Sequence, residues 1–207
     1  MDIFPIVEED FLTPQATKIL LGWIKQNENL FDQHKSPIDY WNGKCIHYNN
    51  PNIPDDIKYI LKQTCLGMRR FIDVNLSYQY DLDMRFVPHH FEYLYAELPQ
   101  IVKWKEGDEM TPHADNIEQD NVTPNTSPWR SFGGVIYLNS DFSGGEIYYP
   151  RLGISVSPKP GMVVLHPADW EYTHGVSKII QGKRYTISTF FTYYKDYAGF
   201  LPEEYQE

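Results

Sequence analysis

Apolar positions in the first part of the chain recur with a helical period. Ala16, Ile19, Leu20, Trp23 and Ile24 follow Thr13-Pro14, a hydroxyl N-cap with Pro at the first helical position. They predict an amphipathic helix ending near Asn27 to Asn29. Ile57, Ile60, Leu61, Met68, Phe71 and Ile72 repeat the pattern after Pro54-Asp55-Asp56, where first-turn acids suit the helix dipole. Between the two, Asp32 to Asn52 is polar and turn-rich, with a short strand expected around Cys45–Tyr48. After about Asp83 the period shortens to that of strands. Strands are predicted at His90–Tyr95, Gln100–Trp104, Gly134–Leu138, Glu146–Tyr149, Ile154–Val156, Met162–Leu165, His174–Val176 and Arg184–Tyr193. Turns are predicted at Glu106-Gly107-Asp108, Ser143-Gly144-Gly145, Pro158 to Gly161 and Gln181-Gly182-Lys183.

Many short strands at this spacing predict a mainly β fold with N-terminal helices (α+β), a double-stranded β-helix or jelly-roll, cupin-like barrel flanked by helices. The expected organisation is an N-terminal helical layer over 1–85, a barrel domain over 86–197 and a C-terminal tail over 198–207. Asn116 to Ser131 fits no strand; it is polar and carries Pro124 and Pro128. A loop of this length is either a substrate-facing lid or a mobile surface segment.

Composition narrows the function classes. A net charge of −10 gives no global attraction to nucleic acid. Arg69-Arg70 reads as a solvated helix face. Cys45 and Cys65 belong to no paired framework and are expected as thiols in a reducing compartment. The acidic N-terminus lacks a signal-peptide layout, and no apolar run approaches the roughly 18–20 residues that cross a bilayer. A cytoplasmic protein without a membrane partner is expected.

The candidate chemistry lies late in the chain. His113-Ala114-Asp115 places an imidazole and a carboxylate at i and i+2, on one face of a strand, with Pro112 restricting the backbone before them. With His174 they form the two-histidine, one-carboxylate set of a non-haem Fe(II) site that leaves coordination positions open. Alone the HxD is weak, and ordinary polar residues with Asp115 capping a turn would give the same letters. Arg184 adds to it. It follows His174 by ten residues across the predicted Gln181-Gly182 turn, and a hairpin there would aim a permanently charged carboxylate-binding fork into the barrel mouth. Lys183 is expected to face solvent. His34, His47, His89, His90 and His166 lack a partner at ligand spacing and are expected to be surface or satisfied core residues. Gly144-Gly145 reads as a tight turn, since no helix follows it to cradle a phosphate.

The stretches Ile101-Val102-Lys103-Trp104-Lys105-Glu106-Gly107, Pro112-His113-Ala114-Asp115, Tyr137-Leu138-Asn139, Gly144-Gly145-Glu146, Pro160-Gly161-Met162, His174-Gly175-Val176 and Gly182-Lys183-Arg184-Tyr185 occur in that order. In this the segment Gln100 to Tyr193 resembles the catalytic domain of the prolyl 4-hydroxylase-like Fe(II)/2-oxoglutarate dioxygenases. The resemblance implies His113, Asp115 and His174 as iron ligands and Arg184 as anchor of the distal carboxylate of 2-oxoglutarate. It places Tyr137 and Thr186 as further hydroxyl contacts to that carboxylate, and Trp104 near the co-substrate. It implies Fe(II), 2-oxoglutarate and O2, with ascorbate as a candidate reductant. The implied activity is hydroxylation of an unactivated C–H bond, with 2-oxoglutarate decarboxylated to succinate and CO2. The expected partner is a peptide, a protein or a small amino-acid-type substrate, a prolyl group foremost.

Two departures leave the substrate open. Collagen-type prolyl hydroxylases usually anchor the co-substrate with Lys, and the family often has tyrosines where this chain has Trp104 and Met110. Two rival readings stand beside the oxygenase. One is a nucleic-acid demethylase on the same fold, disfavoured by the charge and by the lack of a second arginine after Arg184. The other is a non-catalytic jelly-roll module holding a metal or small acid. A barrel mouth filled by side chains, or Arg184 pointing to solvent, would favour the module.

Overall fold

The computed structural model describes residues 4–33, 43–79 and 93–201. Helix α1 (Pro14–Gln26) follows strand β1 (Ile6–Glu8) and starts where the Thr13 hydroxyl accepts the Ala16 N–H at 3.2 Å. Its period buries Leu20 and Ile24 completely. Strands β2 (Asp32–Gln33) and β3 (Lys44–His47) lead to helix α2 (Asp55–Gln79), longer than the apolar run to Ile72 alone indicates. The remainder is β: β4 (Tyr95–Ala96), β5 (Gln100–Lys105), β6 (Met110–His113), β7 (Arg130–Tyr137), β8 (Phe142–Gly144), β9 (Ile147–Tyr149), β10 (Ile154–Val156), β11 (Val163–Pro167), β12 (His174–Val176) and β13 (Ile179–Thr192).

All pairings are antiparallel and form two sheets. The major sheet runs β1-β11-β7-β13-β5-β3-β2, with β4 and β8 also pairing to β13; the minor sheet runs β10-β9-β12-β6. Strand alternation gives the major sheet two distinct faces. Ile101, Ile136, Leu165, Ile187 and Phe191 join Leu20, Ile24, Leu61, Met68 and Ile72 of the helices in one core. Burying each such side chain contributes about 1.5–3 kcal/mol, which makes this layer the main anchor of the sheet. The opposite face meets the minor sheet through two smaller clusters. Val135, Tyr137, Ile147, Tyr149, Met162 and Val164 form one, and Cys45, Val102, Trp104, Val176 and Ile179 the other. This is the expected mainly β, helix-backed jelly-roll architecture.

One expected feature is corrected. The Gln181-Gly182-Lys183 turn is not a turn: β13 runs unbroken from Ile179 to Thr192. Gly182, at φ 87°, kinks the strand instead, and a Cβ there would come within 2.6 Å of the Asp141 carbonyl oxygen. Before the kink β13 pairs with β8, and from Lys183 onward with β5. The strand thus changes partner immediately before Arg184. The predicted strand at His90–Tyr95 lies largely outside the described residues, as do His34, His89 and His90; its described end is β4. No described helix is long and apolar enough to cross a membrane.

Candidate active site

His113 closes β6, and His174, the first residue of β12, pairs directly opposite it. Their ring centroids are 4.7 Å apart. Asp115 lies just past the end of β6 rather than on the strand; the chain turns there as the Asp115 and Asn116 N–H groups both donate to the Ala168 carbonyl, at 2.9 and 3.3 Å. That turn carries the carboxylate inward. Its Oδ1 lies 3.5 Å from His113 Nε2 and 4.0 Å from His174 Nε2. One ligand atom from each of His113, Asp115 and His174 falls within a mutual 4.8 Å.

The chemistry of this donor set fits a divalent metal. His113 Nδ1 bonds the Thr111 carbonyl at 3.2 Å and His174 Nδ1 the Tyr172 carbonyl at 3.0 Å. A ring that donates Nδ1–H to a carbonyl presents a bare Nε2, the tautomer a metal ligand needs. Burial lowers the pKa of His174 well below its ordinary value, and the neighbouring His166 adds to the effect. Burial alone would raise Asp115, but His174, His113 and His166 around it outweigh that and hold it below the usual carboxylate range. An ionised Asp115 beside a His174 that burial keeps from protonating offers deprotonated donors of the kind that bind a cation.

A second group of polar atoms lies deeper, between the sheets. Arg184 is 2% exposed, and its guanidinium is held between the rings of Trp104 (4.7 Å) and Tyr137 (5.3 Å). One of its donors reaches the Gly145 carbonyl at 2.8 Å, while Nε has no hydrogen-bond partner. Thr186, on the same face of β13 and opposite Tyr137 in register, is fully buried. The hydroxyls of Thr186 and Tyr137 are likewise unpartnered. Burial pushes the Tyr137 phenol up to about 12, partly offset by Arg184, so it remains a donor. Buried groups of this kind cost about 1–3 kcal/mol each when unsatisfied, and here they converge on one guanidinium. An anionic ligand reaching them would satisfy such donors. Asn139 fixes the strand beside them: its side chain donates to the Lys183 carbonyl at 2.7 Å and accepts the Tyr185 N–H at 2.8 Å. Lys183 itself points away, to Glu28 at 2.8 Å.

Arg184 and Trp104 of the second group line one cavity of about 460 Å³ together with His113, Asp115 and His174, whereas Tyr137 and Thr186 are not among its lining residues. Its outer part is lined by Gln100, Asn125, Thr126, Ser127, Arg130 and Phe190. The Asn116–Ser131 loop therefore contributes wall to the cavity. The mouth is open and Arg184 is buried, so neither condition favouring a non-catalytic module is met.

Two cavity residues were not singled out from sequence. Arg130 forms a bidentate pair with Glu97 (3.1 and 3.0 Å) and lies 3.4 Å over the Phe190 ring. His166, expected to be a surface or satisfied core residue, is 3% exposed and lines the cavity, with its ring centroid 4.1 Å from that of His174. A polar residue on the inward parity of the apolar strand Val163–Pro167 was the available signal.

Comparison with known proteins agrees with this picture. Residues 99–192 match the family model of the 2OG-Fe(II) oxygenase superfamily. Human prolyl 3-hydroxylase 2 is 30% identical over 91 residues, 39% of this chain and 13% of that protein. Human prolyl 3-hydroxylase 1 is 27% identical over 120 residues, 51% of this chain and 16% of that protein. The chain thus corresponds to a small part of the curated relatives it matches. The fold is shared with the viral collagen prolyl hydroxylase of Paramecium Bursaria Chlorella virus-1, with a TM-score of 0.61 at 14% identity over 91% of this chain and 95% of that one. A Pseudomonas putida prolyl-4-hydroxylase gives a TM-score of 0.60 at 15% identity over 90% of each chain.

Proposed function

From the match of residues 99–192 to the family model of the 2OG-Fe(II) oxygenase superfamily, we propose that the protein is an Fe(II)- and 2-oxoglutarate-dependent dioxygenase that hydroxylates an unactivated C–H bond of a prolyl or other amino-acyl substrate. The observation that carries this is the juxtaposition, in one cavity, of a metal-ready His113, Asp115 and His174 with the buried Arg184 guanidinium, whose Nε is unsatisfied. His113 and His174 would hold Fe(II) through Nε2, and Asp115 would hold it through a carboxylate oxygen. Arg184, Tyr137 and Thr186 bind the distal carboxylate of 2-oxoglutarate, and the rings of Trp104 and Tyr137 keep the guanidinium aimed at it. When bound, the metal and co-substrate supply the oxidising chemistry: O2 takes two electrons from the decarboxylation of 2-oxoglutarate to succinate and CO2 and two from the substrate C–H bond, delivering one oxygen atom to each product.

The protein's own part is orientation and exclusion of water. The apolar clusters on either side of the polar groups keep the inner cavity dry, which strengthens every charge interaction within it. The substrate enters by the outer cavity, whose wall includes the Asn116–Ser131 loop, here assigned as substrate-facing. We assign the chemistry to 86–197; within 1–85, helices α1 and α2 pack behind the major sheet, while β1, β2 and β3 are strands of that sheet. The buried thiols of Cys45 and Cys65 support the reducing, cytoplasmic setting read from the sequence.

The test is an anaerobic titration of metal-free protein with Fe(II) and then 2-oxoglutarate, followed by visible absorption. A charge-transfer band that needs both additions and is lost in His174→Ala is the expected result. A well-folded protein that gives no band overturns the proposal.

A further inference from the structure

We propose that His166 is a positioning residue for Asp115, its Nδ1–H serving as the hydrogen-bond donor to the outer carboxylate oxygen, Oδ2, once a metal is bound. The inference rests on the reading of His113, Asp115 and His174 as metal ligands. Asp115 Oδ1 is accounted for, since it faces both Nε2 atoms. Oδ2 is not: it is buried and has no hydrogen-bond partner. A ligating carboxylate normally has its second oxygen held by a donor, because that contact fixes its rotation and tunes its charge.

The groups that could donate are mostly committed elsewhere. The Asp115 and Asn116 N–H groups are spent on the Ala168 carbonyl. The Nδ1–H groups of His113 and His174 go to Thr111 and Tyr172. On the remaining side, Oδ2 meets the bare Cα of Gly133 and the ring of His166. His166 Nδ1 stands 3.9 Å from Oδ2 and bonds the Pro167 carbonyl at 3.1 Å, so the proposed contact requires its N–H to swing from Pro167 to Oδ2. A shift of about 1 Å brings it to hydrogen-bond length. Such contacts are often long before a site is loaded.

Gly133 makes this arrangement possible. It lies opposite His166 in the β7–β11 register. A Cβ on it would fall 2.6 Å from Asp115 Oδ2, 2.9 Å from His166 Cε1 and 3.1 Å from His166 Nε2. The absent side chain is therefore the space into which the carboxylate and the imidazole edge converge. His166 is not a fourth ligand here: the set of donors within 4.8 Å of one another contains only His113, Asp115 and His174. Its role is to hold Oδ2 so that Oδ1 remains aimed between the two Nε2 atoms.

The test uses Co(II) as probe, titrated anaerobically into the full, metal-stripped chain without co-substrate. It reads affinity and the visible d–d spectrum, alongside the melting temperature of the metal-free protein. His166→Phe keeps an aromatic ring of similar size but loses the donor. It is expected to bind Co(II) about 10–100-fold more weakly with an altered spectrum, at an unchanged or higher metal-free melting temperature. His166→Gln, which restores an N–H, is expected to recover part of the affinity. A His166→Phe protein with the parent's affinity and spectrum overturns the proposal. Equal losses in the Phe and Gln variants also overturn it, since packing alone would then be the role. If His166→Phe does not fold, Gly133→Ala replaces it: the added methyl must part Oδ2 from the ring, and undiminished Co(II) affinity overturns the proposal. A parent protein that binds no Co(II) overturns both this proposal and the metal-site reading beneath it, whereas failure confined to the variants leaves that reading standing.

Discussion

Replacing Arg184 by methionine separates what this residue does for the fold from what it does for the ligand. The guanidinium is buried, its Nε has no partner, and its one hydrogen bond within the protein goes to the Gly145 carbonyl. Burial lowers its pKa, with Tyr137 and Glu146 partly offsetting the shift, so it stays charged but poorly solvated. A methionine of similar length preserves contact with Trp104 and Tyr137 and removes a desolvated charge, which is neutral or stabilising when no anion is bound. The metal-free melting temperature should hold or rise. Binding of 2-oxoglutarate should collapse. Two charge-assisted hydrogen bonds to a carboxylate are worth about 1.5–3 kcal/mol each, so the loss is about 3–6 kcal/mol, or roughly 10²- to 10⁴-fold in affinity. Isothermal titration of 2-oxoglutarate into Mn(II)-loaded protein measures the second effect and thermal denaturation the first. An affinity within tenfold of the parent refutes the anchor assignment. A melting temperature many degrees lower refutes the claim that the guanidinium contributes little to folding.

Tyr137→Phe removes a buried hydroxyl without a partner, so the metal-free protein should be at least as stable while 2-oxoglutarate binds about tenfold more weakly in the same calorimetric assay. Met68→Ala acts on the helix side of the major sheet: this side chain is fully buried where α2 meets that sheet, and its truncation should cost about 2–5 kcal/mol by denaturant melting with little change in the affinity of the protein that remains folded. Glu28 receives Lys183, Lys103 and Tyr185; burial opposes its ionisation but these partners prevail, lowering its pKa from 4.5 to about 2. The stabilisation it contributes is therefore complete above about pH 4.5 and is lost as pH falls towards 2, and Glu28→Gln should flatten the melting temperature across that interval.

Elements with a period long enough to read are legible in the chain, and the site residues that share such an element are legible with them. The Thr13-Pro14 start, the apolar stripe of α1 and the longer strands β5, β7, β11 and β13 are legible through their apolar runs, whereas β6 matches no predicted strand and β8 falls on the predicted Ser143-Gly144-Gly145 turn. Strands β2 and β4 have two residues each and β1 has three, too few to carry an alternation. Arg184 was placed in the barrel for a reason the structure replaces. Gly182 signalled a special backbone conformation, but whether that closes a hairpin or kinks a continuous strand depends on β8 and β5, which local sequence does not register. His166 was missed for a similar cause. Its relation to Asp115 passes through the β11–β7 pairing and the lack of a side chain at Gly133, neither of which leaves a spacing in the sequence.

The position of β13 bears on how the chain is made. This strand lies at the centre of the major sheet, between β7 and β5, yet it follows every other described strand of that sheet in the sequence. Until Ile179–Thr192 has left the ribosome, β7 and β5 have no common neighbour, and the apolar surface that α1 and α2 cover is split between two fragments. Both fragments present open strand edges during that interval. The pocket cannot be assembled step by step as the chain emerges. It forms in one late, long-range event, which makes nascent chains of this protein clients for chaperones that shield strand edges, and makes strand β13 the segment whose delay exposes them longest.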